Sequence, residues 1–132
     1  MHEGDQASVT KTISEADIAL YAAVSLDTNP AHFDDDFAAS GPFGRRIAHG
    51  MLTSGLISAC LGTKLPGPGT IYLSQSLSFR APVFIGDRIT ATVEVVAVEE
   101  KGRVRLSTTC RNQDGTVVVD GEARVIAPRR QQ

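Results

Sequence analysis

The sequence predicts an α+β domain in which a curved antiparallel sheet wraps round one long central helix. Three observations predict it. Residues 47–62, "IAHGMLTSGLISACLG", are apolar or small on every side, the mark of a helix buried all round. After "LPGPG" the hydrophobic period switches from helical to alternating and stays so to residue 126. The alternating runs are joined by short turns, so successive strands pair antiparallel. With 132 residues and no repeat, linker or low-complexity tract, residues 1–132 read as one domain.

Each element follows from its residues. Residues 9–12 are short and β-prone. Ser14 then caps a helix whose first turn holds Glu15 and Asp17, where the helix dipole favours acids. Ile18, Tyr21, Ala22 and Ser25 share its inward face. The helix stops near Ser25, because Pro30 disfavours helical geometry at Asn29. A brief helical turn starts at Asp35 or Asp36, and "SGPFGRR" is loop. Gly62 ends the central helix. In "IYLSQSLSF", Ile71, Leu73, Leu77 and Phe79 lie on one face and three serines on the other. "APVFIGD" connects to a strand marked by Ile89, Ala91, Val93, Val95 and Ala97, which "EEKG" ends. Val104, Leu106, Thr108 and Cys110 mark the next. "NQDG" is a hairpin turn into a last strand over residues 116–126. The last strands are long and Val-rich, which favours pairing with a second copy.

Composition narrows the function. Net charge is −2 and the one basic block is Arg129-Arg130, so there is no electrostatic footprint for nucleic acid. Aromatic residues are 5% and Trp is absent, which argues against a base-stacking platform. Cys60 and Cys110 form no CxxC pair and read as small core residues. The polar N-terminus lacks the apolar region of a secretory signal, and the most apolar stretch is shorter than the roughly 20 residues of a membrane span. The expectation is a cytoplasmic protein with no membrane or nucleic-acid partner.

The chemistry concentrates in "LDTNPAHFDDD", residues 26–36. The Asn-Pro break keeps Asp27 and His32 off one continuous helix, and a turning loop could aim both at one point. A carboxylate and an imidazole so placed can hold a water and move protons. The competing reading is a helix-capping Asp and a merely hydrogen-bonded His. His32, His49 and the three acids at 34–36 have metal-ligand chemistry, but no spacing fixes a geometry, and "DDD" reads better as a solvated turn. No G-x-S-x-G elbow or P-loop ending is present. "AHG" at the start of the central helix offers free amides to a developing negative charge. Gly50 there either admits a substrate or permits close helix–sheet packing, and residue types alone leave both open.

Taken together, three stretches resemble the MaoC-like, hot-dog-fold (R)-specific enoyl-CoA hydratases. They are "YAAVSLDTNPAHFD", "RRIAHGMLTSGLISACLG" and "GTIYLSQSLSFRAPVFIGD", and the resemblance spans about residues 9–127. It implies the hot-dog fold and reversible hydration of a trans-2-enoyl-CoA to the (3R)-3-hydroxyacyl-CoA, without a cofactor or metal. It implies a catalytic pair, Asp27 and His32, with the Gly50 amide on the thioester oxygen. Asn29 would position the loop, Ser58 would support it from the central helix, and Leu61 would line the acyl end. Partners would be the enoyl-CoA and a second copy in a homodimer. Leu26 departs from the pattern, since many members carry Gly before the Asp. Rival readings are a hot-dog thioesterase and a non-catalytic acyl-CoA-binding subunit.

Overall fold

The computed structural model describes residues 1–129, so Arg130 and the last residues of the expected domain lie outside the described residues. The elements run β1 (Gln6–Thr12), α1 (Glu15–Ser25), α2 (Pro30–Phe33), α3 (Asp35–Ala39), α4 (Gly50–Thr63), β2 (Ile71–Gln75), β3 (Ser78–Phe79), β4 (Arg88–Val98), β5 (Arg103–Arg111) and β6 (Val117–Ile126). The strands form one antiparallel sheet in the order β1-β4-β5-β6-β2, with β3 also paired to β6. Helix α4 packs on β1, β4, β5 and β6.

The alternation in β4 and β5 sets the core. Ile89, Ala91, Val93 and Val95 point to α4, as do Val104, Leu106, Thr108 and Cys110, and all are buried. They meet Ile57, Cys60 and Leu61 of α4 in a single cluster that also takes in Val118, Val119, Ala123 and Val125 of β6. Cys60 and Cys110 are fully buried. Burial raises both thiol pKa values, that of Cys110 to about 12, so neither is a nucleophile.

Three expectations change. Helix α4 is buried only along Thr53, Ser54, Ile57, Cys60 and Leu61; Met51, Gly55, Ser58 and Ala59 are open, because the sheet covers one side. The long last strands are not free edges. β5 and β6 are interior, with their backbone groups paired on both sides, and the edges are β1 and β2. The single run expected over "IYLSQSLSF" is two strands, and Ile71, Leu73 and Phe79 on its apolar face are exposed.

Gly121 is the reason for that break. A Cβ there would lie 1.8 Å from the Ser76 carbonyl oxygen, so the chain crossing from β2 to β3 needs a bare backbone beneath it. The Ser76 amide and hydroxyl then bond Glu122 of β6, at 2.9 Å each. Because the obstruction is backbone, no side chain can swing away to relieve it.

Helix α1 hangs beside the sheet by its first turn. Ser14 and Asp17 form a reciprocal capping box, and Lys11 of β1 lies 3.1 Å from Asp17. Burial pushes the Asp17 carboxyl up, but the hydrogen bonds from Ser14 and Lys11 outweigh it and hold the pKa below its usual value. For Gly121→Ala, we expect stability to fall by about 3 kcal/mol or more, read as a lower midpoint in a urea melt.

Candidate active site

The loop between α1 and α2 is built by short polar side chains. Helix α1 ends at Leu26, whose amide bonds the Ala22 carbonyl and whose φ of 67° turns the chain left-handed. The Ser25 hydroxyl then accepts from the Asp27 amide, and the Asp27 carboxylate from the Asn29 amide, both at 3.2 Å. Asn29 caps α2 by accepting from the Ala31 amide at 3.0 Å. Pro30 does more than end the preceding helix: at the first position of α2 its fixed φ starts a new one. Two residues later comes His32.

Two histidines lock this loop to the start of α4. The His32 Nδ1 lies 2.6 Å from the Ile47 carbonyl oxygen, and the His49 Nε2 lies 2.9 Å from the Asp27 carbonyl oxygen. A carbonyl can only accept, so each of those nitrogens carries the proton. In a neutral ring that leaves Nε2 of His32 and Nδ1 of His49 without a proton. The rings stack with centroids 3.9 Å apart, and Tyr21 of α1 packs on His49 at 4.7 Å. His49 is 1% exposed and His32 7%.

The carboxylate of Asp27 and one nitrogen of each ring lie within 4.8 Å of one another. Such a set has ligand chemistry, but stacked rings aim their in-plane lone pairs alongside each other rather than at one point. That suits a water taking hydrogen bonds from several sides better than it suits an ion.

Asp27, His32 and His49 line a cavity of about 440 Å³ whose remaining wall is largely apolar. Gly50 lies at its edge as the first residue of α4. No side chain caps that helix end, and the Gly50 amide takes no backbone partner among the described residues. The Phe79 ring occupies the place of a Gly50 Cβ, 2.6 Å from where one would sit. Close packing of helix on sheet is thus one use of this glycine. Gly50 also lines the same cavity as the Asp27/His32 pair. Two further polar atoms on the wall, His49 Nδ1 and Thr53 Oγ1, are buried with no hydrogen-bond partner among the described residues.

A family model for the MaoC-like domain matches residues 2–117. The chain belongs to the MaoC-like family. It is 58% identical over 129 residues to the (R)-specific enoyl-CoA hydratase of Rhodospirillum rubrum, covering 97% of this chain and 89% of that one. Among solved structures, the R-hydratase PhaJ1 from Pseudomonas aeruginosa superposes with a TM-score of 0.94 at 50% identity, covering 98% of this chain and 84% of that one. The (R)-hydratase from A. caviae involved in PHA biosynthesis gives 0.94 at 47%, over 97% and 98% of the two chains. The fold is accordingly the hot-dog fold.

Within this MaoC-like chain the six residues singled out from sequence separate into two groups. Asp27, His32 and Gly50 meet at one cavity, with Asn29 in the turn that shapes it. Ser58 does not reach the loop: it faces a groove with Tyr72 and Gln75, since helical spacing puts it with Met51 and Gly55 on the open side of α4. Leu61 is buried in the core, 1% exposed, and is not on the wall of that cavity. His49 was visible in the sequence only as a spare imidazole. Its bond to Asp27 joins segments 22 residues apart, which no local pattern encodes.

Leu26 tests the local geometry. It is a non-glycine residue in the left-handed region and its side chain is exposed, so it gains nothing from packing there. Leu26→Gly is expected to raise stability by about 1 kcal/mol in denaturant melts without slowing turnover.

Proposed function

We infer that the chain adds water reversibly to trans-2-enoyl-CoA, giving the (3R)-3-hydroxyacyl-CoA. The observation that carries the mechanism is the 2.6 Å contact of His32 Nδ1 with the Ile47 carbonyl oxygen, which in a neutral ring leaves Nε2 as the nitrogen that can accept a proton beside Asp27. That nitrogen and the Asp27 carboxylate together hold one water. The water gives its hydroxyl to the β-carbon, and a proton returns to the α-carbon on the same face. Charge then develops on the thioester oxygen, where the Gly50 amide and the positive end of the α4 dipole stabilise it. Asp27 and His32 act as one unit, so proton transfer belongs to the pair. Asn29 holds the turn that aims Asp27.

A second copy of the chain covers the open side of α4. Met51 on that side and Ile71, Tyr72 and Leu73 of the edge strand β2 are all exposed and border one groove or its rim. This is the face on which the homodimer forms, and the described residues form a single domain in each protomer. Among the described residues, no helix is long and apolar enough to cross a membrane. Sedimentation equilibrium is expected to give twice the 14.0 kDa chain mass.

The activity is tested by following loss of enoyl absorbance with crotonyl-CoA, with chiral analysis of the product. Hydration to the 3R product is expected, falling about 10²–10⁴-fold in Asp27→Asn and in His32→Ala while the circular dichroism spectrum stays unchanged. Release of free CoA would make the protein a thioesterase instead. An undiminished rate in both folded variants would remove the pair from the mechanism.

A further inference from the structure

We propose that Arg46 is a positioning residue for His32, holding the base by its main-chain carbonyl. The proposal rests on the reading of His32 as half of the catalytic pair. Helix α2 has only four residues, so its own hydrogen bonds cannot fix it firmly. Like the last carbonyls of any helix, that of His32 lacks a partner within the element. The Arg46 Nε–H supplies one at 2.8 Å.

The same guanidinium reaches two other helices. Its Nη1 pairs with Glu15 of α1 at 2.7 Å, and its Nε lies 3.9 Å from Asp35 of α3. Those acids are open to solvent, at 70% and 86%, so the pairs are screened and worth little. The Arg46 side chain is 11% exposed, which shelters its bond to the carbonyl. The neighbouring residue completes the grip. The Ile47 amide donates to the Ala31 carbonyl at 3.2 Å, and the Ile47 carbonyl receives the His32 ring N–H. Residues 46 and 47 thus hold α2 at Ala31 O, at His32 O and at the imidazole itself.

Two of those three holds are backbone bonds of Ile47. Arg46 is the hold that a side-chain substitution can remove. It is not on the wall of the catalytic cavity, so it acts through the aim of His32 and not on the substrate. A lysine would keep the charge near Glu15 but lacks the fixed fork that bonds carbonyl and carboxylate together.

The test is steady-state hydration of crotonyl-CoA by Arg46→Ala, Arg46→Lys, Glu15→Gln and His32→Ala, each checked for folding by thermal melt. For both Arg46 variants kcat is expected to fall about tenfold or more while KM stays within about threefold, since a misaimed base costs rate and not binding. Ethylguanidinium is expected to restore part of the Arg46→Ala rate. Glu15→Gln, which removes only the screened pair, should stay within about twofold. A wild-type kcat in Arg46→Lys, or equal losses in Glu15→Gln and Arg46→Ala, would overturn the proposal. His32→Ala separates the two ideas: if it retains full rate the catalytic pair is wrong, whereas its collapse beside unaffected Arg46 variants sinks only the role of Arg46.

Discussion

The site depends on a reciprocal exchange between two histidines and two carbonyls. His32, on the loop, gives its proton to the segment before α4; His49, at the start of α4, gives its proton back to the loop. Neither segment belongs to a named strand; the one before α4 has a single bridge, Ile47 to Phe84, and the other only the short helix α2. The stack of the two rings fills the space between them. Each such bond is worth roughly 1 kcal/mol net, which is small beside the core. Its larger consequence is chemical, because pinning one nitrogen of His32 decides which nitrogen is left to accept a proton.

The sheet contributes by bringing distant backbone close. Gly121 lets Ser76 cross over β6, and the chain beyond it delivers Phe79 against Gly50. The helix terminus is thereby pressed against an aromatic wall without losing its free amide. An amide so placed can stabilise charge because it is fixed before the reaction begins and shielded on one side from water. Helix α1 supports the site from behind by packing Tyr21 on His49. Asp27 and His32 therefore come from one stretch and Gly50 from another, and the two converge on the cavity at the His49–Gly50 corner.

Much of this was legible in the sequence, and the boundary between what was and was not is physical. The α4 helix, the buried faces of β4 and β5, the capping of α1 by Ser14 and the Asn112–Gly115 turn all rest on contacts within a few residues or on a period. Those signals are local. The open side of α4 was missed because an apolar helix looks the same whether its own sheet or another surface covers it. The break between β2 and β3 was missed because its cause, Gly121, lies 45 residues beyond Ser76 and leaves no trace in the alternation. At the site, residue types made Asp27, His32 and Gly50 candidates, and the resemblance to the family's motifs gave them their expected roles. Arg46 and His49 could not be given roles, because what they do depends on which carbonyl each one meets.

The most direct test of the central claim is the imidazole ¹⁵N spectrum of the free protein at a pH where both rings are neutral. The exchange requires a proton on Nδ1 of His32 with its Nε2 bare, and the opposite tautomer, Nε2–H, on His49. Two-bond nitrogen–proton correlations distinguish the forms without reference to activity. Finding that pattern would establish that the fold itself selects which nitrogen of each ring carries the proton. An Nε2–H tautomer on His32 would contradict the account, since its lone pair would then sit on Nδ1 against the Ile47 carbonyl oxygen and not face the cavity.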